Sequence, residues 1–366
     1  MSDPFHNFYR DRRVFVTGHT GFKGSWLTQW LLELGAQIRG YSLLAPSEPS
    51  LFAVLRLERD IDSVIADIRD GERIRKAMNE FKPEVVFHLA AQPLVRVSYE
   101  EPRLTYETNV IGTLSVYEAV RSCESVRAVV SVTTDKCYEN QEWLWGYRED
   151  DLLGGYDPYS SSKACAELMT RAYRNSFFNP RSYGHSHRVA IATARAGNVI
   201  GGGDWAKDRL LPDAVRSIMA DEPVRIRNPK AIRPWQHVLE PLSGYLRLAE
   251  ILLRDGTGFG DAWNFGPDES DCISVEHVVS SFLQLWQRTK GYLADGSEQL
   301  HEAGYLRLDS SRARQLLQWK PRWKIEEAIV RTVDWYKTFY KAEDPGDLTR
   351  TQIHSYESAM TQEIAG

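Results

Sequence analysis

Tyr159 and Lys163 stand four residues apart. On a helix they would share one face, one above the other. An ammonium beside a phenol lowers its pKa by stabilising the phenolate. A tyrosine poised in this way can take the proton of a sugar or alcohol hydroxyl while a cofactor takes the hydride. Alone the pair carries little weight, because Tyr-x-x-x-Lys also arises on plain polar helix faces. A second group stands just upstream: Thr133, Thr134, Asp135 and Lys136 offer hydroxyls, an acid and an amine in consecutive positions.

The elements that must position these groups can be read along the chain. Residues 13–17 form a short apolar run with the character of a buried strand, entering a G-x-x-G-x-x-G turn at Gly18, Gly21 and Gly24. Residues 25–34 follow as an apolar helical stretch that stops at Gly35. Strand, glycine turn and helix form the setting in which backbone N–H groups approach a pyrophosphate at a helix N-terminus. Residues 36–41 are the expected second strand. An acid at its end usually holds the ribose of NAD. Here Gly40, Tyr41 and Ser42 stand there, with Arg39 close by, so NAD is expected to exchange rather than stay tightly bound. Arg39 is the first suspect should NADP be preferred.

Residues 64–68 read as a strand end carrying an acid, Asp67, and residues 70–81 as a charged amphipathic helix. Residues 84–92 run from a strand into Leu89, Ala90 and Ala91, small enough for a flat cofactor to lie against the backbone. His88 reads equally as a core residue or a contact. Residues 104–123 and 159–177 are expected helices. Between them, the strand at 126–134 delivers Asp135 and Lys136 at its carboxyl end, where open α/β sheets bind ligands. Residues 196–204 are expected as a flexible polar loop. Arg233 suits a phosphate, and Trp235 reads equally as a stacking surface or as core. A short strand is expected near Tyr305, and residues 344–366 as a mobile tail.

This alternation predicts an α/β fold: a Rossmann-type doubly wound parallel sheet with a smaller mixed α/β substrate-binding lobe. The dinucleotide-binding domain is expected over residues 1–196, with part of 231–258 returning to it. Residues 197–366 form mainly the lobe and the tail.

Composition narrows the classes. Of 366 residues, 42% are hydrophobic and 26% charged, which supports a sizeable core and argues against disorder. A net charge of -5 argues against a nucleic-acid binder held by a basic surface. Cys123, Cys137, Cys165 and Cys272 include no C-x-x-C pair, so neither a disulfide framework nor a metal site is expected. No apolar run reaches the roughly 20 residues a bilayer crossing needs. The first eleven residues lack a secretory apolar stretch. A cytoplasmic location is therefore expected.

Together the motifs resemble the extended short-chain dehydrogenase/reductases, through Gly18–Gly24, His88-Leu-Ala-Ala91, Asn109 and Tyr159-x-x-x-Lys163. More narrowly, the chain is similar to the CDP-D-glucose 4,6-dehydratases of O-antigen deoxysugar synthesis. That likeness rests on residues 18–26, 134–140, 194–205 and 233–237 and spans nearly the whole chain. Sister dehydratases carry Thr-Asp-Glu where Thr134, Asp135 and Lys136 stand. The resemblance implies NAD as cofactor, held by Gly18, Thr20, Gly21, Phe22, Lys23, Gly24, Asp67, Ile68, Leu89, Ala90, Ala91 and Thr108 together with Tyr159 and Lys163. It implies a nucleotide sugar against Gln92, Asn198, Asp213, Arg233 and Trp235, and a homodimer through the helices at 104–123 and 159–177. It also implies the roles. Tyr159, assisted by Lys163, removes the 4-hydroxyl proton, and Thr134 bonds the same oxygen. Lys136 takes the C5 proton, and Asp135 protonates the departing 6-hydroxyl. Two other readings stay open: another nucleotide-sugar dehydratase or 4-epimerase, and a non-catalytic dinucleotide-sensing protein. Asp135 and Lys136 argue against a simple epimerase, and the presence of both Tyr159 and Lys163 against a sensor.

Overall fold

Side-chain alternation fixes the first strand, β1 (Arg13–Thr17): Val14 and Val16 enter one hydrophobic core, and Phe15 enters another on the opposite face. The computed structural model describes residues 3–288, 290–294, 300–301 and 303–361. After β1 come α1 (Phe22–Glu33), β2 (Gln37–Ser42), α2 (Leu51–Val54), β3 (Asp62–Ile65), α3 (Gly71–Phe81), β4 (Val85–His88), α4 (Val95–Glu100), α5 (Pro102–Tyr106), α6 (Gly112–Arg121), β5 (Ala128–Val132), α7 (Pro158–Ser176) and β6 (Ala190–Ala196). The rest is mixed and shorter in its strands: β7 (Val199–Ile200), α8 (Leu210–Met219), β8 (Val224–Ile226), β9 (Ile232–Pro234), β10 (Gln236–His237), α9 (Leu239–Asp255), β11 (Ala262–Phe265), β12 (Cys272–Ser274), α10 (Val275–Trp286), β13 (Tyr292–Ala294), α11 (Ser311–Leu316), α12 (Ile325–Tyr340) and α13 (Pro345–Thr361).

Seven strands form one sheet in the order β11-β6-β5-β4-β1-β2-β3, and every pairing is parallel. The order reverses between β1 and β4, which opens a crevice at their carboxyl ends. β11 extends the sheet from beyond the 231–258 stretch. α3 and α6 bury Ile74, Met78, Val116 and Tyr117 on one face, while α1, α9 and α12 bury Trp26, Trp30, Leu242 and Trp335 on the other.

Local chemistry starts the helix that matters most. Asp157 caps α7: its carboxylate accepts from Ser160 N at 2.9 Å and from Ser160 Oγ at 2.7 Å, and Pro158 occupies the first turn. The helix expected at 104–123 is one run, α5 to α6, interrupted by a π-helical turn at Glu107–Ile111. Asn109 in that turn accepts from Gln92 N at 2.8 Å and donates to Ser162 Oγ at 2.9 Å, tying the loop after β4 to α7.

Three expectations differ from the fold. Residues 345–361 of the expected tail form α13, docked by Trp335 Nε1 on Thr349 Oγ1 and Trp30 Nε1 on Glu357 Oε1, both at 2.9 Å; residues 362–366 lie outside the described residues. The expected flexible loop is packed: Ile200 to Trp205 are buried, and Trp26 Nε1 donates to Gly202 O at 2.9 Å. Near Tyr305 there is a single bridge to Ile232 rather than a strand.

Candidate active site

The glycine turn closes over the end of β1. Gly18 takes φ +76°, and a Cβ there would lie 2.7 Å from Ala90 N, so only glycine fits between this turn and the small residues after β4. A side chain at Gly24 would fall on the Gly18 carbonyl. Gly21 caps α1 without a side-chain hydrogen bond, and the first turn carries no acid. Backbone N–H groups of α1 therefore face the crevice with the positive end of the helix dipole. Thr20 Oγ1 bonds Ser42 Oγ and Leu43 O, each at 2.9 Å, and anchors the turn to β2. This cradle fits a dinucleotide pyrophosphate.

Residues around it are mostly spoken for. Arg39 pairs with Asp62 and Glu80 and donates to Ala77 O at 2.9 Å, so the fold already engages this guanidinium. Asp67 sits after β3 with Arg69, whose hydrogen bonds hold its carboxyl below the usual range. Ile68 is buried against Gly112, and Thr108 lies half-buried in the π turn. His88 bridges Thr17 Oγ1 (2.7 Å) and Thr113 Oγ1 (2.9 Å). Burial, then the charge of Lys163, push it down to about 3, which makes it a neutral core residue.

At the carboxyl end of β5 the expected catalytic groups meet. Lys163 Nζ donates to Val132 O at 3.2 Å. Thr134 Oγ1 donates to Asp135 Oδ1 at 3.1 Å and accepts from Lys136 N at 3.3 Å. Asp135 is buried, and its Oδ2 has no hydrogen-bond partner. Burial raises its carboxyl, against the charge of Lys136, the hydroxyl of Thr134 and the charges of Arg233 and Lys23. Tyr159 departs from expectation. Its phenol is pushed up to about 12, chiefly by burial, with a hydrogen bond to Thr134 opposing. Desolvation of the phenolate thus dominates, and the charge that lowers it is that of Arg209 rather than the expected Lys163. Lys163 is itself pushed down to about 8 by burial, with Glu167 opposing. Lys23, on the first turn of α1, is also pushed down to about 8, by burial and then by Arg209.

Two features escaped the sequence reading. Arg209 donates to Asp204 Oδ2 at 2.8 Å, and its charge reaches both Tyr159 and Lys23. Its position just before a helical stretch was the available signal. Glu167 and Arg195 form a buried ion pair at 2.8 Å beneath Lys163. Glu167 continues the Tyr159, Lys163 spacing by one more turn.

The expected substrate residues divide. Arg233 is buried, its charge reaches Asp135, and it donates to Ile232 O at 2.9 Å and to Ala303 O. Asn198 is half-buried beside β7, and its carbonyl accepts from Gln236 N at 3.0 Å. Gln92 spends its side chain on its own loop and on α5, bonding Leu94 N, Leu94 O and Thr105 Oγ1. Asp213 pairs with Arg216 on α8. Trp235 belongs to the core, with Nε1 on Ile273 O at 3.2 Å, which decides between its two readings. Among the described residues no group of three or more His, Cys, Asp or Glu could hold a metal ion, and no helix is long and apolar enough to cross a membrane.

Residues 15–251 match the GDP-mannose 4,6 dehydratase family. A CDP-glucose 4,6-dehydratase of Salmonella typhimurium (strain LT2) is 54% identical over 97% of this chain and 99% of its own. The fold is similar to that of the epimerase Mth375 of Methanothermobacter thermautotrophicus, with TM-score 0.78, 24% identity, and 93% and 96% of the two chains covered. It is also similar to a dTDP-glucose 4,6-dehydratase of Bacillus anthracis solved in complex with NAD, with TM-score 0.73, 22% identity, and 92% and 99% covered.

Proposed function

This chain belongs to the GDP-mannose 4,6 dehydratase family, and from that premise we propose that it is an NAD-dependent hydro-lyase converting CDP-D-glucose to CDP-4-keto-6-deoxy-D-glucose and water. The observation that carries the reaction is the juxtaposition at the end of β5. A buried acid with an open oxygen, Asp135, is joined through Thr134 to Tyr159. Oxidation at C4 alone needs only a base; expelling the 6-hydroxyl also needs an acid. The 54% identical relative supports cytidine as the nucleoside.

The glycine turn at Gly18, Gly21 and Gly24 would hold NAD, which would supply a hydride acceptor for C4 and a hydride donor for C6. Tyr159 takes the 4-hydroxyl proton. The charge of Arg209 and the hydrogen bond to Thr134 ease the buried phenol towards carrying charge, against burial and the carboxylates of Asp135 and Asp157. Thr134 holds the 4-oxygen. The 4-ketone acidifies the C5 hydrogen, and Lys136 removes that proton and gives it back to C5 when hydride adds at C6. Burial favours the neutral form of Asp135, which donates its proton to the 6-hydroxyl, and that leaves as water. Arg233, with Asn198, grips the substrate pyrophosphate, exchanging its bond to Ala303 O for charged oxygens. Incubating purified protein with NAD and CDP-, dTDP-, UDP- and GDP-sugars should give a 4-keto product chiefly from CDP-glucose. Epimer without 4-keto product would overturn the assignment.

The protein acts as a homodimer. Supporting this, Tyr106, Ile111, Leu168 and Phe177 expose apolar surface along α5, the π turn and α7. Sedimentation at micromolar concentration should give the mass of two chains; monomer alone would exclude it. The reaction serves deoxysugar and O-antigen synthesis in the cytoplasm, where its four unpaired cysteines stay reduced.

A further inference from the structure

Tyr159, Lys163 and Glu167 occupy successive turns of α7, and all three are buried. They face three consecutive residues at the end of β5. Val132 O takes the Lys163 ammonium at 3.2 Å, Thr133 Oγ1 donates to Glu167 Oε1, and Thr134 bonds Asp135 and Tyr159. Glu167 Oε2 reaches the next strand, accepting from Thr193 Oγ1 at 2.7 Å and Arg195 Nη2 at 2.8 Å. Arg195 in turn donates from Nη1 to Tyr138 Oη at 2.8 Å and Glu149 O at 2.9 Å, and Tyr138 Oη donates to Asn264 Oδ1 at 2.7 Å. One carboxylate thus joins the helix of the tyrosine–lysine pair to the strand end of the threonine–acid pair, and through Arg195 to the segment just after that strand.

Stability alone gives little reason for such a pair. Buried ions lose their hydration, and well-packed apolar replacements are often neutral or better. What the pair supplies is register. α7 and β5 approach each other through hydroxyls and carbonyls, and a helix held only by apolar contacts could shift along the strand by a fraction of an ångström. Transition states that depend on aligned donors are sensitive to such shifts. Burial tends to neutralise the Glu167 carboxyl, but the charge and hydrogen bond of Arg195, with the hydroxyls of Thr133 and Thr193, outweigh it and hold it below the usual value.

Resting on the reaction proposed above, we infer that Glu167 is a positioning residue for oxidation at C4: anchored by Thr133, Thr193 and Arg195, it fixes Tyr159 and Lys163 against Thr134 and Asp135.

The test uses E167Q and the double variant E167Q/R195M. Gln has one acceptor oxygen and leaves Arg195 charged and underpaired, so E167Q is expected to lose stability as well as rate. The double variant removes that stranded charge and should recover its unfolding midpoint towards wild type. In both, kcat for 4-keto product should fall about 10- to 100-fold, with KM for the nucleotide sugar within about twofold. E167Q should also shift the alkaline limb of kcat to lower pH, because the Lys163 ammonium loses its negative neighbour. Glu167 on its own helix, Cys137 after β5, Lys23 on α1 and His88 on β4 are the groups that share that field. Recovery of rate together with stability in the double variant would overturn the inference, leaving Glu167 as half of a structural ion pair. So would unchanged kcat in E167Q. Failure of the underlying reaction is distinguishable, because it would appear as wild-type protein forming no 4-keto product.

Discussion

Glu167 on α7 and Glu240 on α9 are both buried carboxylates, and their surroundings drive them to opposite states. Glu167 has Arg195 at 2.8 Å, and its carboxyl is held below the usual value. Glu240 is met by the donors Trp323 N at 2.7 Å, Arg322 N at 2.9 Å and Tyr356 Oη at 2.6 Å, and the charge of Arg322 acts on it more weakly than these bonds. Burial outweighs them and pushes its carboxyl up to about 7. The first stays a charge and lies under the reacting groups. The second is close to a proton-binding group at neutral pH and lies in the clasp that holds α13, where Tyr356 also contacts Ser243 and Ser243 accepts from Trp319 Nε1. A buried carboxylate is therefore read by its company: a hydrogen-bonded full charge keeps it ionised and available to order other charges, whereas dipoles with only a weakly felt charge leave it to titrate with the fold.

The sharpest division between the two regions should come from Lys136→Ala. At the end of β5 a change should remove chemistry and leave stability. Product formation is expected to fall by at least about 100-fold, with an unchanged unfolding midpoint. Oxidation at C4 should survive, so a 340 nm absorbance should appear on mixing with NAD and substrate. Exchange of the C5 hydrogen with deuterated solvent should stop. Exchange near the wild-type rate would show that another group takes the C5 proton. A lowered midpoint would break the separation of site from clasp.

The sequence carried the site better than the clasp, for physical reasons. Tyr159 and Lys163 are related by a helical turn, and Thr134, Asp135 and Lys136 by adjacency to a strand end, so local spacing was enough to group them. Glu167 and Arg195 come from different elements, 28 residues apart, and only the sheet brings them together. The state of Tyr159 was misjudged because a neighbouring charge is visible in spacing, while the burial that dominates it is not. α13 hid for another reason. Its buried stripe is Thr349, Gln352, Ile353 and Tyr356, largely polar, and it docks through tryptophan N–H groups and carboxylates rather than a run of aliphatic residues. Hydrophobic periodicity is weak in such a helix. The loop at 196–204 misled through its glycines, which serve close packing, Gly202 against Trp335 and Gly203 against Leu51, rather than freedom.

The clasp makes the subtler prediction, in the pH dependence of stability. The Glu240 carboxyl sits at about 7 in the folded protein against an ordinary value of 4.5. Folded protein therefore holds the proton over a range in which the unfolded chain has released it. Where the folded state binds more protons, stability falls as pH rises. The contribution is complete below pH 4.5 and is lost as pH climbs through about 7, by up to about 3 kcal/mol. In Glu240→Gln the side chain cannot titrate. Its single oxygen cannot serve all three donors, so the variant should be weaker at pH 5 by about 1–3 kcal/mol. Its deficit should then shrink towards pH 8, because only the wild type pays for ionising a buried carboxyl. Other titrating groups are common to both proteins and cancel in the difference. Urea midpoints for the pair at pH 5, 6.5 and 8 supply the measurement, with kcat at each pH as a control expected to agree within about twofold. Converging stability curves with matched turnover would place Glu240 in the clasp as a proton-binding group. Parallel curves would mean that it stays ionised like Glu167, and the contrast between the two regions would be gone.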